Sequence, residues 1–188
     1  MLIKKVTFLL LITSFLSIPS SFSNELRNNI SINPLAFMLG IANISYERKL
    51  NDNWTLGGEL AFLDIEILNT KQTGQQFGIK TRYHFNKSFE DGWQILLGAG
   101  YLSSKATTSS TICFFSCTTT SGNATVNGLY VGFVPTYMWI WESFNMNLGL
   151  GVLYFNSDID VTSGTISETD INYNEAVPTI DFSMGVAF

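Results

Sequence analysis

Charge is what this chain has least of. Only 13% of its 188 residues are Asp, Glu, Lys or Arg, against roughly 25% in ordinary soluble domains. Yet 46% are hydrophobic and 14% aromatic, so surface that normally carries charge must be apolar. Cysteine is scarce, with two residues, and two cysteines alone do not make a structural zinc site, which takes four ligands. Long apolar runs are also missing. Beyond the first twenty-odd residues, none approaches the roughly 18 residues of a transmembrane helix. A membrane protein without such a helix is a closed barrel, because only helices and barrels satisfy their own backbone groups in lipid. Basic stripes and Gly-rich phosphate loops opening a helix are absent too.

The one long apolar segment lies at the start. Lys4 and Lys5 precede an apolar core from Val6 to Ile18, Pro19 breaks it, and Ser21-Phe22-Ser23 fits a small-x-small cleavage site. This is the pattern of a secretory signal peptide, with cleavage expected after Ser23. A core of 13 residues is short for an uncleaved anchor. The expected organisation is therefore 1–23 signal peptide and 24–188 a single barrel domain. Loss of Lys4 and Lys5, with no acid, takes the net charge from −5 to −7. That balance argues against nucleic acid or an anionic lipid surface as a partner.

At the other end, Ala176–Phe188 reads AVPTIDFSMGVAF. Pro178, Ile180, Phe182, Met184, Val186 and Phe188 alternate with Thr179, Asp181, Ser183, Gly185 and Ala187, the period of a strand with one greasy face. An alternating strand closed by a terminal aromatic resembles the end of bacterial outer-membrane β-barrel proteins, although Ser183 stands where that pattern usually has Gly. The whole mature chain resembles the small eight-stranded proteins of the OmpA/OmpX type. The resemblance implies that this strand seals the cylinder and is read by the barrel assembly machinery. It also implies a location in the bacterial outer membrane, among its lipid and lipopolysaccharide.

Seven further strands are expected before the last. The first runs from about Ile30 to Met38, interrupted by Pro34, and turns at Leu39-Gly40. The second, Ile41 to Leu50, turns Ile44, Tyr46 and Leu50 one way and Glu47 and Lys49 the other. Arg48 breaks its apolar face, where a basic side chain can reach headgroups. Asn51-Asp52-Asn53 is a turn, since Asn and Asp tolerate left-handed backbone. In the third strand Trp54, Leu56, Gly58, Leu60 and Phe62 oppose Thr55, Gly57, Glu59 and Ala61. The fourth sets Phe77, Ile79, Thr81, Tyr83 and Phe85 against Gly78, Lys80, Arg82 and His84. Three more strands follow from Trp93, Thr125 and Phe144. Connections at 51–53, 86–92 and 142–143 are short and those at 68–75, 103–124 and 158–175 long. Barrels of the outer membrane have short periplasmic turns and long outer loops. Aromatics gather where strands meet the short turns: Trp54, Trp93, Trp139, Trp141 and Phe188 are candidates for the interfacial girdle. A secreted sandwich also alternates, but it would want polar outer faces and would not put Trp and Phe at one rim. The expected class is all-β, an eight-stranded antiparallel up-and-down transmembrane β-barrel.

The inward positions supply the candidate site. Glu47, Glu59, Lys80, Arg82 and Asp181 are expected to pair inside, because unpaired buried charge is expensive, with Glu59 opposite Lys80 or Arg82. A barrel of eight strands is just wide enough for side chains to fill it, so a structural plug is favoured over a proton or ion path. Lipid A deacylases are also small barrels, with a His and a Ser facing lipid. Here the single His84 points inward with Ser88 four residues on, which does not match, and no catalytic residue is assigned. Cys113 and Cys117 bracket Phe114-Phe115-Ser116 in an outer loop. Exported cysteines tend to be oxidised, and a bridge there would present Phe114 and Phe115 to an extracellular partner or to lipid. The acidic residues of 158–175 match no calcium-loop spacing, so neither metal nor cofactor is expected. The resulting expectation is a non-enzymatic barrel with a structural or surface-interaction role, and a narrow solute or ion channel as the alternative.

Overall fold

The computed structural model describes residues 26–67, 70–113, 117–163 and 166–188. The expected signal peptide, Phe114 and Phe115 lie outside the described residues, as do the side chains of 67, 108–121 and 159–173. The described residues form eight strands and one short helix. They are β1 (Asn28–Ile32), α1 (Pro34–Met38), β2 (Ile41–Lys49), β3 (Trp54–Ile67), β4 (Thr70–His84), β5 (Gly92–Cys113), β6 (Cys117–Trp141), β7 (Phe144–Ser163) and β8 (Ile166–Ala187). Each strand pairs antiparallel with the next, and β8 pairs back to β1, so the sheet closes into a barrel. No helix among the described residues is long and apolar enough to cross a membrane.

The wall sorts side chains by parity. Rows of register partners run round the barrel, and alternate rows face in and out. One outward row is Ile44, Leu60, Phe77, Tyr101 and Leu129; the next is Tyr46, Gly58, Ile79, Ala99 and Val131. Most of these large apolar side chains are exposed, Ile79 by 67% and Leu150 by 69%. On β3 this belt runs for nine residues, from Trp54 to Phe62, close to the roughly 9–11 residues of a membrane-crossing strand. It ends in a polar outward row of Gln75, Ser103, Asn127 and Asp158. The interior is the reverse. Ser31, Ser45, Glu47, Thr55, Lys80, Arg82, Gln94, Thr136, Asn145 and Asn147 are all buried.

The short connections are built by residues that accept unusual backbone or cap it. Asn51 Oδ1 accepts the amides of Asn53 and Trp54 at 3.0 Å each. Lys49 reaches Asp52 at 2.9 Å, and that hydrogen bond holds the Asp52 carboxyl below its ordinary value. Glu142 turns β6 into β7 with φ 55°. Between β4 and β5, Phe89 takes φ 63° and is buried beside His84, with ring centroids 6.3 Å apart. This turn folds back over one end of the lumen.

Several boundaries differ from those expected. The first strand stops at Ile32, and Pro34–Met38 is helical. Asn33 is the N-cap, accepting Ala36 N–H at 2.9 Å, and Pro34 occupies the first turn, where its missing N–H costs nothing. Gly40, at φ +89°, makes the reversal into β2, and a side chain there would strike the Asp64 carbonyl. The larger correction concerns the long outer loops. Residues 68–75, 103–124 and 158–175 are mostly strand, because β3–β4, β5–β6 and β7–β8 continue as paired hairpins to Thr70, Cys113–Cys117 and Ile166. Thr is a good strand former, and Ser and Thr fall on both parities of these stretches, so they offer no apolar alternation to read.

Candidate functional site

The lumen is crossed by one charged cluster centred on Glu47. Parity sends Glu47 of β2 inward, and opposite it on β3 lies Gly57, where any added Cβ would crowd the Glu47 side chain. The carboxylate leans into that space. Lys80 Nζ lies 2.9 Å from Glu47 Oε1, and Arg82 Nε donates to the same oxygen at 3.1 Å. Thr55 Oγ1 donates to Oε2 at 3.1 Å. Arg82 then crosses the lumen. Its Nη2 donates to Asp181 on β8 at 3.2 Å and its Nη1 to Thr136 on β6 at 3.4 Å. Lys80 also donates to Ser45 at 2.8 Å, and Ser45 bonds Ser31 of β1 at 2.7 Å. Glu47 and Arg82 are each only 2% exposed. Two anions and two cations balance, and the cluster ties β2, β4, β6 and β8 across the barrel.

Glu59 stands apart from this cluster, contrary to the expected pairing with Lys80 or Arg82. Tyr130 of β6 donates to Glu59 Oε1 at 2.8 Å, and Gln76 donates to the same atom at 3.1 Å. Tyr130 fits because Gly78 and Gly100 face it; a methyl at either would collide with its hydroxyl. The register explains the exchange of partners. Lys80 lies opposite Gly57, and Glu59 opposite Gly78, so the staggered wall brings Glu47, two strands from Lys80, within reach of it. Toward the short turns a third group of amides fills the lumen. Gln94 donates to Asn147, and Asn145 donates to Asn29 at 2.8 Å. His84 Nε2 and Gln94 Oε1, on register partners, are buried with no hydrogen-bond partner among the described residues. Thr55, Gln76, Tyr130 and Thr136 are neutral, and nothing in the sequence signals that they complete a charge network.

His84 and Ser88 are not joined. Ser88 Oγ bonds the backbone carbonyls of Asn51 and Asp52, at 3.2 and 3.0 Å. Among the described residues no group of three or more His, Cys, Asp or Glu is placed to hold a metal ion. Cys113 and Cys117 are register partners at the end of the β5–β6 hairpin. The girdle candidates gather at the short-turn end. Trp54 packs on Tyr83 at 5.0 Å, Trp93 on Tyr137 at 5.5 Å, Tyr137 on Trp139 at 4.8 Å and Trp141 on Phe144 at 5.8 Å. Phe188 closes the chain beside them, its carbonyl accepting the amides of Arg27 and Asn28.

Residues 6–173 match the family described as protein of unknown function (DUF3575). The chain belongs to that family. The matched span includes Glu47, Glu59, Lys80 and Arg82 and ends before Asp181. No curated protein matches the chain. Among solved structures, the N-terminal β-barrel domain of OprF from Pseudomonas aeruginosa is similar, with a TM-score of 0.43 and 13% identity, over 87% of this chain and 98% of that one.

Proposed function

We propose that this chain is a sealed barrel of the bacterial outer membrane, without a catalytic role, that acts structurally or through surface contacts made by its long hairpins. One observation carries this reading: a belt of exposed apolar side chains surrounds an interior of paired charges and amides. Soluble monomers rarely expose contiguous apolar patches beyond a few hundred Å². Lipid is the solvent that suits such a wall, and a closed barrel suits lipid. The polar interior then belongs to the lumen, and the tryptophans at the short-turn end to the periplasmic headgroup layer. The signal-peptide pattern at 1–23 supports export, and the alternation of Pro178, Ile180, Phe182, Met184 and Val186 in the strand that closes on β1 supports handling by the barrel assembly machinery. Lipid and lipopolysaccharide are the partners of the belt. A surface partner would be met by the hairpins β5–β6 and β7–β8.

The cross-barrel ties argue against a conducting lumen, since Arg82 bonds partners on three other strands. The experiment is fractionation followed by gel mobility of boiled and unboiled protein. A heat-dependent shift in the outer-membrane fraction is expected. A soluble periplasmic protein with no shift would overturn the reading. Purified barrels in a planar bilayer are expected to be silent, and steady openings would favour the channel.

A further inference from the structure

The outer wall is not uniformly convex. A groove of about 750 Å³ crosses it from β1 to β6, and its lining is almost wholly apolar. Its floor is made by Gly58 and Ala99, which sit in one outward row on either side of Ile79. Leu60, Phe77, Ile79 and Tyr101 flank them. The groove is open where it is shallowest, for a Cβ on Gly58 would meet only the Gly78 carbonyl oxygen, at 3.5 Å. No side chain among the described residues fills it.

One cation stands at its edge. Arg48 is on the outward face of β2, exposed, two residues from Tyr46 toward the short turns. Tyr46 is the register partner of Gly58, so Arg48 is a diagonal neighbour of the groove floor, about 7–8 Å away. Among the described residues Arg48 has no ionic or hydrogen-bonding partner, although Glu47 beside it in sequence takes two cations inside the barrel. Next to it the Tyr46 hydroxyl donates to Asn28 Oδ1 at 2.7 Å, a small polar step between the groove and the guanidinium. An apolar trough that ends at an unpaired guanidinium matches an amphiphile with an acyl chain and a phosphate, because guanidinium forks hold phosphate oxygens bidentately.

We propose that this groove is a binding site for one glycerophospholipid of the periplasmic leaflet, its acyl chain over Gly58 and Ala99 and its phosphodiester on Arg48. The site rests on the outer-membrane reading above and deepens it. The leaflet follows from Arg48 lying toward the short-turn end. The net negative charge of the chain opposes general attraction to an anionic surface; a single guanidinium at a trough selects one headgroup instead.

The test is native mass spectrometry of the folded barrel in mild detergent, titrated with phosphatidylglycerol. One lipid is expected to bind ahead of the rest. Arg48→Gln removes the charge and leaves the trough. Gly58→Leu fills the trough and leaves the charge, and Ala99→Leu does the same from a second position should Gly58→Leu not fold. Heat-dependent gel mobility reports folding. Either class of variant is expected to weaken the first lipid about tenfold, the scale of one charge-assisted contact. Unchanged binding in Arg48→Gln overturns the site. Binding lost in Arg48→Gln but kept in both leucine variants also overturns it, because the headgroup would then bind without the trough. A dimer that dissociates in the leucine variants assigns the groove to a second copy and overturns it as well. A barrel that fails to enter phosphatidylglycerol vesicles at all refutes the membrane reading, which is a separate outcome.

Discussion

Replacing Glu47 by Met removes the one group that both Lys80 and Arg82 contact. The cluster holds two carboxylates and two cations. After the change Asp181 alone faces both cations, and it touches only Arg82. Lys80, 6% exposed, is left with the Ser45 hydroxyl. Breaking a buried pair on one side costs about 3–5 kcal/mol, because the remaining charge stays desolvated. Adding Lys80→Met restores neutrality and leaves the Arg82–Asp181 bond at 3.2 Å. The double variant should therefore regain about 2 kcal/mol relative to Glu47→Met, a coupling of the size found within one network. The assay is urea unfolding of barrels folded in lipid vesicles, read by gel mobility, for wild type, both singles and the double. The reasoning is refuted if the double loses the sum of the two singles to within about 0.5 kcal/mol, which is the behaviour of independent sites.

Other substitutions test other levels of the structure. Leu150→Arg, at a position 69% exposed near the middle of the belt on β7, should cost about 2–4 kcal/mol in a bilayer; a value within about 0.5 kcal/mol, usual for exposed sites in water, would mean the belt does not meet lipid. Gly100→Val should unseat Tyr130 from Glu59 and lower the temperature of the gel-mobility shift, whereas Gly98→Ala should not, because its Cβ meets only the Ile79 carbonyl oxygen at 3.8 Å. Glu142→Asn should raise stability by about 0.5 kcal/mol in the same urea series, since Asn accepts the left-handed backbone more readily than Glu.

The wall was legible in the sequence because its physics has period two. Glu47, Lys80, Arg82 and Asp181 sit on inward positions that alternation alone identifies, and the barrel closes with the strand count read from turns. Partners were not legible. Glu59 and Glu47 have the same parity, and only the stagger between strands, set by three-dimensional closure, decides which one meets Lys80. The hairpins of β5–β6 and β7–β8 were hidden for another reason. Beyond the belt Ser and Thr occupy both parities, so no apolar alternation marks a strand. The residues Pro34–Met38 held a readable cue, Asn33 before Pro34, that a helix begins rather than a strand bends.

The seam between β1 and β8 runs only from Asn29–Ala187 to Ile32–Met184, while β5 and β6 are paired along all of Gly92–Cys113. Every other pairing joins neighbours along the chain and can zip outward from a turn. This one joins the two ends, so it bears nearly the whole entropy of loop closure for four register pairs, no more than β1–β2 has. The ring is thus a long sheet held shut by a short clasp. The meeting of the ends is the expected slow step, because contacts of such high sequence separation are the ones that limit folding rates. The interlocked groups near the clasp, Asn29 with Asn145 and the amides of Arg27 and Asn28 on the Phe188 carbonyl, make that final event a latch as well as a join.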